Sequence, residues 1–305
     1  MVKIGSGSHV YEIAEEWGKL PKGIRYGYTN GVVVDSQDRV YVHSRSKDAV
    51  IVFNREGEFL TSWGEDFSRG AHGMFLHMEG EIEYLYLADP ERHIVVKTTI
   101  EGKVIYTLGI PDCPNVYDTA HRYGPTDVAV APNGDFYICD GYGQSWIHHY
   151  DPFGRLIQSW GGQGSEPGKM NCPHGIWIDT RGSEALVYVA DRVNSRVQVF
   201  TLDGKYVKII SNGIDFPCCF YESEGNLYIP DLHGRVTILD REDRLITQLG
   251  EDQVAWKKPG WPRRPASELK PNKFVSPHAV AIDSHGDLYV AEWLPYGRLM
   301  KLIRS

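Results

Sequence analysis

Across 305 residues the chain sets 32 Lys and Arg against 40 Asp and Glu, a net charge of −8. That balance argues against general binding to nucleic acid or to an anionic membrane surface. No apolar run approaches the roughly 18 residues of a spanning helix, and the N-terminus lacks a secretory-signal pattern, so a soluble chain is expected. The five cysteines, Cys113, Cys139, Cys172, Cys218 and Cys219, are odd in number and lack a CxxC spacing, which suits reduced thiols and a cytoplasmic location. With 32 Gly and 17 Pro among many Tyr, Val and Trp, the sequence favours short strands and tight turns over helices.

Taken in order, the chain repeats one unit of four short apolar segments separated by Gly-containing turns. The first copy is Thr29–Asp35, Arg39–Val42, Ala49–Phe53 and Glu58–Trp63, and a divergent second begins at Ala71-His72-Gly73 and runs to Leu108. The third begins at Pro125–Val130 and ends at Trp160, the fourth spans Pro173–Ile210, and the fifth spans Pro217–Leu249. The sixth, from Pro277 to Ile303, has three segments only, and Val10–Trp17 near the N-terminus supplies a fourth. A lone four-stranded sheet cannot bury both faces, so copies must stack. The expectation is therefore an all-β, six-bladed β-propeller in a single domain (1–305), closed by an N-terminal strand that completes the last blade. Two long links, Ile110–Tyr123 and the Trp-, Pro- and Arg-rich Glu251–Ser276, read as surface loops or as a rim over a pocket.

In such a ring the residue opening each innermost strand faces the central channel. In blade order these are Asn30, His72, Thr126, His174, Cys218 and His278. Histidine stands on alternate blades, related by about 120° in a six-fold ring, so three imidazoles can converge on one ion. Three neutral imidazoles with an open fourth position suit catalytic zinc or another divalent transition metal. The loop after the second strand faces the same end of the channel and adds Arg45, Tyr142, Arg192, His233 and Trp293. Asp140, Asp191 and Asp231 recur at one repeat position and read as structural acceptors of loop amides. Arg192, Asn194 and Arg196 fit the same scaffold, whereas Arg45 and Tyr142 depart from the repeat, which marks them for function.

These residues also resemble a known family. Asp191–Val197 (D-x-x-N-x-R-V) looks like an NHL repeat, and P-T-D-V-A-V at Pro125, D-G-Y at Asp140, P-H-G at Pro173 and P-H-A at Pro277 resemble peptidyl-α-hydroxyglycine α-amidating lyase. The resemblance implies zinc on His72, His174 and His278, with Tyr142 and Arg45 assisting catalysis. It also has limits. Ala279 stands where the family has an aspartate calcium ligand, Ser276 replaces a Met, and Gly143 replaces the Cys of animal members, so structural calcium is not expected. The reading that follows is a metal-dependent lyase cleaving a carbinolamide-like N–C bond of a small α-hydroxy acid derivative. Tyr142 would relay the proton, Arg45 would clamp a carboxylate, and Arg192, His233 and Trp293 would line the substrate site. The rivals are a calcium-dependent lactonase, whose oxygen-ligand shell this axis lacks, and a non-catalytic scaffold binding a protein through the Trp256–Lys273 segment. A small-molecule substrate is the expected partner, with oligomeric state open.

Overall fold

The computed structural model describes residues 2–113, 115–252 and 254–305. Pro114 and Gln253, which fall in the two long links, lie outside them. The chain divides into two compact units, Met1–Arg69 with Phe220–Ser305, and Gly70–Cys219. In chain order the strands are β1 (Lys3–Ser6), β2 (His9–Ile13), β3 (Thr29–Val34), β4 (Val40–Ser44), β5 (Val50–Phe53) and β6 (Phe59–Trp63). Then come β7 (Met74–Glu79), β8 (Ile82–Asp89), β9 (Ile94–Thr99), β10 (Val104–Leu108), β11 (Asp127–Val130) and β12 (Phe136–Cys139). They continue with β13 (Trp146–Tyr150), β14 (Leu156–Gly161), β15 (Pro173–Asp179), β16 (Leu186–Asp191), β17 (Arg196–Thr201) and β18 (Tyr206–Ile210). The last are β19 (Tyr221–Ser223), β20 (Asn226–Asp231), β21 (Arg235–Leu239), β22 (Leu245–Leu249), β23 (Pro277–Ile282), β24 (Leu288–Glu292) and β25 (Arg298–Arg304).

Among the described residues these strands form six antiparallel sheets, the blades of an all-β six-bladed propeller. Unit Gly70–Cys219 holds blades two to four, each a four-stranded meander (β7–β10, β11–β14, β15–β18). In blade three the inner strands β11 and β12 are buried throughout while the outer β14 is half-buried to exposed; blade two is more open, its innermost β7 being buried only at Met74. Tyr137, Ile176, Val187, Val189 and Phe200 pack between blades three and four, so each blade covers its neighbour's face. The other unit holds blades one and five in the same pattern, together with blade six.

Blade six closes as expected, with one difference. β2 pairs with β25 through Tyr11↔Arg304, Glu12↔Ile303 and Ile13↔Leu302, but β1 then adds a fifth strand. The expected closing segment Val10–Trp17 is strand only to Ile13. Trp17 instead packs its ring on Phe53 and Tyr289, 5.3 and 5.1 Å away, bridging blades one and six. Blade five departs in the opposite sense: its innermost strand is cut to Tyr221–Ser223, so Cys218 precedes it.

Candidate metal centre

The channel-facing residues are set by a shared backbone device. In blade six the ladder runs Pro277↔Glu292 and then Ala279↔Ala291, leaving His278 as an extra residue; Asn30 is extra in blade one, and blade four slips by one residue across His174-Gly175. A bulge of this kind lifts one residue out of the pleat and re-aims its side chain. The glycine that follows matters next. A Cβ on Gly73 would lie 2.4 Å from the Thr126 carbonyl, and one on Gly175 would lie 2.3 Å from that of Cys218. Only glycine lets the next blade's backbone come this near.

Those carbonyls seat the imidazoles. His72 Nδ1 lies 2.7 Å from the Thr126 carbonyl oxygen, His174 Nδ1 2.8 Å from that of Cys218, and His278 Nδ1 2.7 Å from that of Asn30. A carbonyl only accepts, so each Nδ1 carries the proton, and in the neutral ring each Nε2 keeps its lone pair. The alternation read from the sequence thus has a second half: histidine on one blade, a backbone acceptor from the following one. His72 and His174 are both buried within unit Gly70–Cys219, their ring centroids 4.8 Å apart, and His278 is buried in the other unit; all three are candidate ligands.

Tyr142 meets both imidazoles of its own unit. Its hydroxyl lies 3.0 Å from His72 Nε2 and 3.1 Å from His174 Nε2. One phenolic proton faces two imidazole lone pairs, so the hydroxyl can donate to only one of them at a time. Neutral imidazoles whose Nε2 keeps its lone pair are the donor type suited to a divalent transition metal. The site fits such an ion. Tyr142 as a whole residue is 45% exposed, yet its hydroxyl lies against the buried His72 and His174. Burial raises its pKa above the ordinary phenol value, and the Arg192 guanidinium pulls it back. The depression of this phenol that a metal would produce is therefore not built into the protein groups alone.

Arg192 was expected to share the blade-four scaffold, but it does not. Asn194, Arg196 and Gln198 all donate to the Asp191 carboxylate, which also accepts from the Asn171 amide. The Arg192 guanidinium instead lies 5.5 Å from the Tyr142 ring centre and 5.2 Å from that of Phe216, with one N–H on Cys172 Sγ at 3.2 Å. Its own pKa is raised: desolvation by burial opposes its charge, but Tyr142 and the thiols of Cys172 and Cys218 outweigh it. A cation so placed stabilises negative charge on the phenol.

The remaining candidates lie in the other unit. Arg45 follows β4, half-buried, its amide donating to the Tyr28 carbonyl at 2.9 Å. His233 and Trp293 belong to an aromatic wall that the sequence did not reveal as a unit. His233 stacks on Trp256 at 4.0 Å, and Trp261 meets Trp293 edge-on at 6.3 Å. Trp293 in turn packs on Tyr28 at 5.0 Å. The wall is tied to the segment delivering His278, since Trp261 Nε1 donates to the Val275 carbonyl and Ser276 Oγ to that of Trp293. The link Glu251–Ser276 therefore supplies two members of the wall.

No protein-family model matches the chain. It has homologues among NHL repeat proteins and amidating lyases. It is 30% identical over 205 residues to human NHL repeat-containing protein 3, a match covering 64% of this chain and 57% of that protein. It is 26% identical over 273 residues to peptidyl-α-hydroxyglycine α-amidating lyase 1 of Drosophila melanogaster, covering 78% of this chain and 46% of that one. The chain thus spans about half the length of these relatives. In fold it resembles a gluconolactonase from Xanthomonas campestris, with a TM-score of 0.64 at 12% identity, covering 92% of this chain and 87% of that one. Among the described residues, no helix is long and apolar enough to cross a membrane.

Proposed function

We propose that the protein is a metal-dependent lyase that cleaves the N–C bond of a carbinolamide-like α-hydroxy acid derivative, releasing an amide and an aldehyde acid. The observation that carries this reading is the buried pair His72 and His174, each Nδ1 committed to a backbone carbonyl and both Nε2 atoms on one tyrosine hydroxyl, with His278 seated in the same way in its own unit. His72, His174 and His278 would hold the ion, which when bound supplies Lewis acidity toward a substrate oxygen.

The chain's own groups do the rest. Tyr142 Oη takes the proton of the substrate hydroxyl as the C–O bond becomes a carbonyl, and the electron pair of the breaking C–N bond leaves with nitrogen. That nitrogen ends protonated, so the balance closes without water. Arg192, against the phenol ring, stabilises the phenolate that Tyr142 must be to take that proton and becomes again once the proton has passed to nitrogen. Arg45 pairs with the substrate carboxylate, a geometry that a guanidinium meets with two parallel N–H bonds. His233 and Trp293, with the rest of their aromatic wall, hold the acyl group on nitrogen.

The likeness to amidating lyases favours this reading over a lactonase. The two differ in water: a hydrolase consumes one molecule, whereas the lyase consumes none. Elemental analysis and glyoxylate release from N-benzoyl-α-hydroxyglycine test the proposal together. Stoichiometric divalent metal that His174→Ala abolishes, with turnover lost alongside it, is the expected result. Metal-free active protein, or His174→Ala with unchanged metal content, would sink it.

A further inference from the structure

We propose that Asn30 is a further substrate-binding residue of this centre, its side-chain amide holding the α-hydroxy acid beside His278. The inference rests on the lyase reading for its choice of ligand, while its geometry stands within blades one and six.

Asn30 occupies the same register position as the three histidines and is the bulged residue of its ladder, as His278 is of its own. Its backbone carbonyl, 2.7 Å from His278 Nδ1, places it against a proposed ligand. Its neighbour Thr29 is anchored by a hydroxyl bond of 2.5 Å to the Glu292 carbonyl, so the segment is held from both sides. The side chain itself is the anomaly. Asn30 is 2% exposed, and both Nδ2 and Oδ1 are buried without a hydrogen-bond partner among the described residues. Thr126, at the equivalent position in blade three, donates its hydroxyl to the Pro173 carbonyl at 3.0 Å.

An amide buried this way destabilises the fold, and an apolar side chain of the same shape would not. Its retention points to a ligand offering an acceptor and a donor side by side. An α-hydroxy acid does: its carboxylate accepts from Nδ2–H, and its hydroxyl can donate to Oδ1. Arg45, joined by its amide to Tyr28 two residues upstream of Asn30, adds a cation from the same blade.

The test uses the full chain loaded with zinc, glycolate as probe and acetate as the control lacking a hydroxyl. Asn30→Leu keeps the shape, and the backbone carbonyl under His278 remains. It should retain full zinc occupancy, raise the melting temperature of the metal-free protein, and weaken glycolate by about 10-fold or more, with a smaller change for acetate. Glycolate affinity at full occupancy decides. Binding unchanged in the variant, absent in the wild type, or lost only together with zinc overturns the proposal. Asn30→Gln, which retains the amide, checks that a loss follows the amide rather than shape. Turnover of N-benzoyl-α-hydroxyglycine is scored separately: a wild type that binds glycolate through Asn30 yet releases no glyoxylate refutes the lyase reading alone. Equal kcat/KM in wild type and Asn30→Leu refutes the role of Asn30 alone.

Discussion

Blades three and four carry the same aspartate at the end of their second strands, and they use it differently. In blade four Asp191 is satisfied by its own loop, through Asn194, Arg196 and Gln198, so the loop is occupied with holding itself in shape. In blade three the sequence after Asp140 is Gly-Tyr-Gly, and no neighbouring arginine comes back. Asp140 accepts instead from the Gly124 and Gln144 amides and from the Tyr117 hydroxyl at 2.8 Å, a residue lent by the long link. Burial still pushes its pKa up to about 6 despite those bonds. Gly141 completes the exchange, because a Cβ there would lie 2.3 Å from the Pro173 carbonyl. Blade three thus hands its scaffold to a remote loop and releases a tyrosine toward the imidazoles. That substitution of partners is what separates blade three from blade four, and the proposed function draws on it.

The difference can be broken from either side. Tyr142→Phe removes the released hydroxyl and should lower kcat by about 10²–10⁴-fold while bound metal is retained, measured by steady-state kinetics beside elemental analysis. Gly175→Ala touches no ligand but forces the Cys218 carbonyl away from His174 Nδ1; metal affinity should fall by about 10–100-fold in a chelator competition. Arg196→Ala strikes the self-sufficient scaffold of blade four. It should lower the unfolding free energy, by about 3 kcal/mol at most for a group paired with the buried Asp191, read from denaturant unfolding, and leave kcat of the folded fraction unchanged. A loss of kcat in Arg196→Ala as large as that in Tyr142→Phe would erase the distinction between the blades.

Much of this was legible in the sequence, and for a definite reason. A repeat carries its own internal alignment, so the spacing of His72, His174 and His278 could be compared across blades without any relative, and the six sheets followed the same comparison. Features that depend on departures from the ladder were not legible. β1 is a four-residue polar hairpin partner with no apolar alternation to announce it. Arg192 sits inside a scaffold-like motif, and only its rotation onto Tyr142 separates it from Asn194 and Arg196. The aromatic wall joins residues from four separate stretches of chain, a grouping that no local pattern encodes. Asn30 could be placed in the register, but its missing partners are a property of packing.

The clasp of blade six has a dynamic consequence. β2 is joined to β25 by only three register pairs, while at the far edge of the same sheet β23 carries His278. A sheet opens most cheaply at such a short seam, so amide exchange in His9–Ile13 reports how firmly the whole blade is fastened. An ion gripping His278 restrains one margin of that sheet, and its arrival should be readable as slowed deuterium uptake at the other.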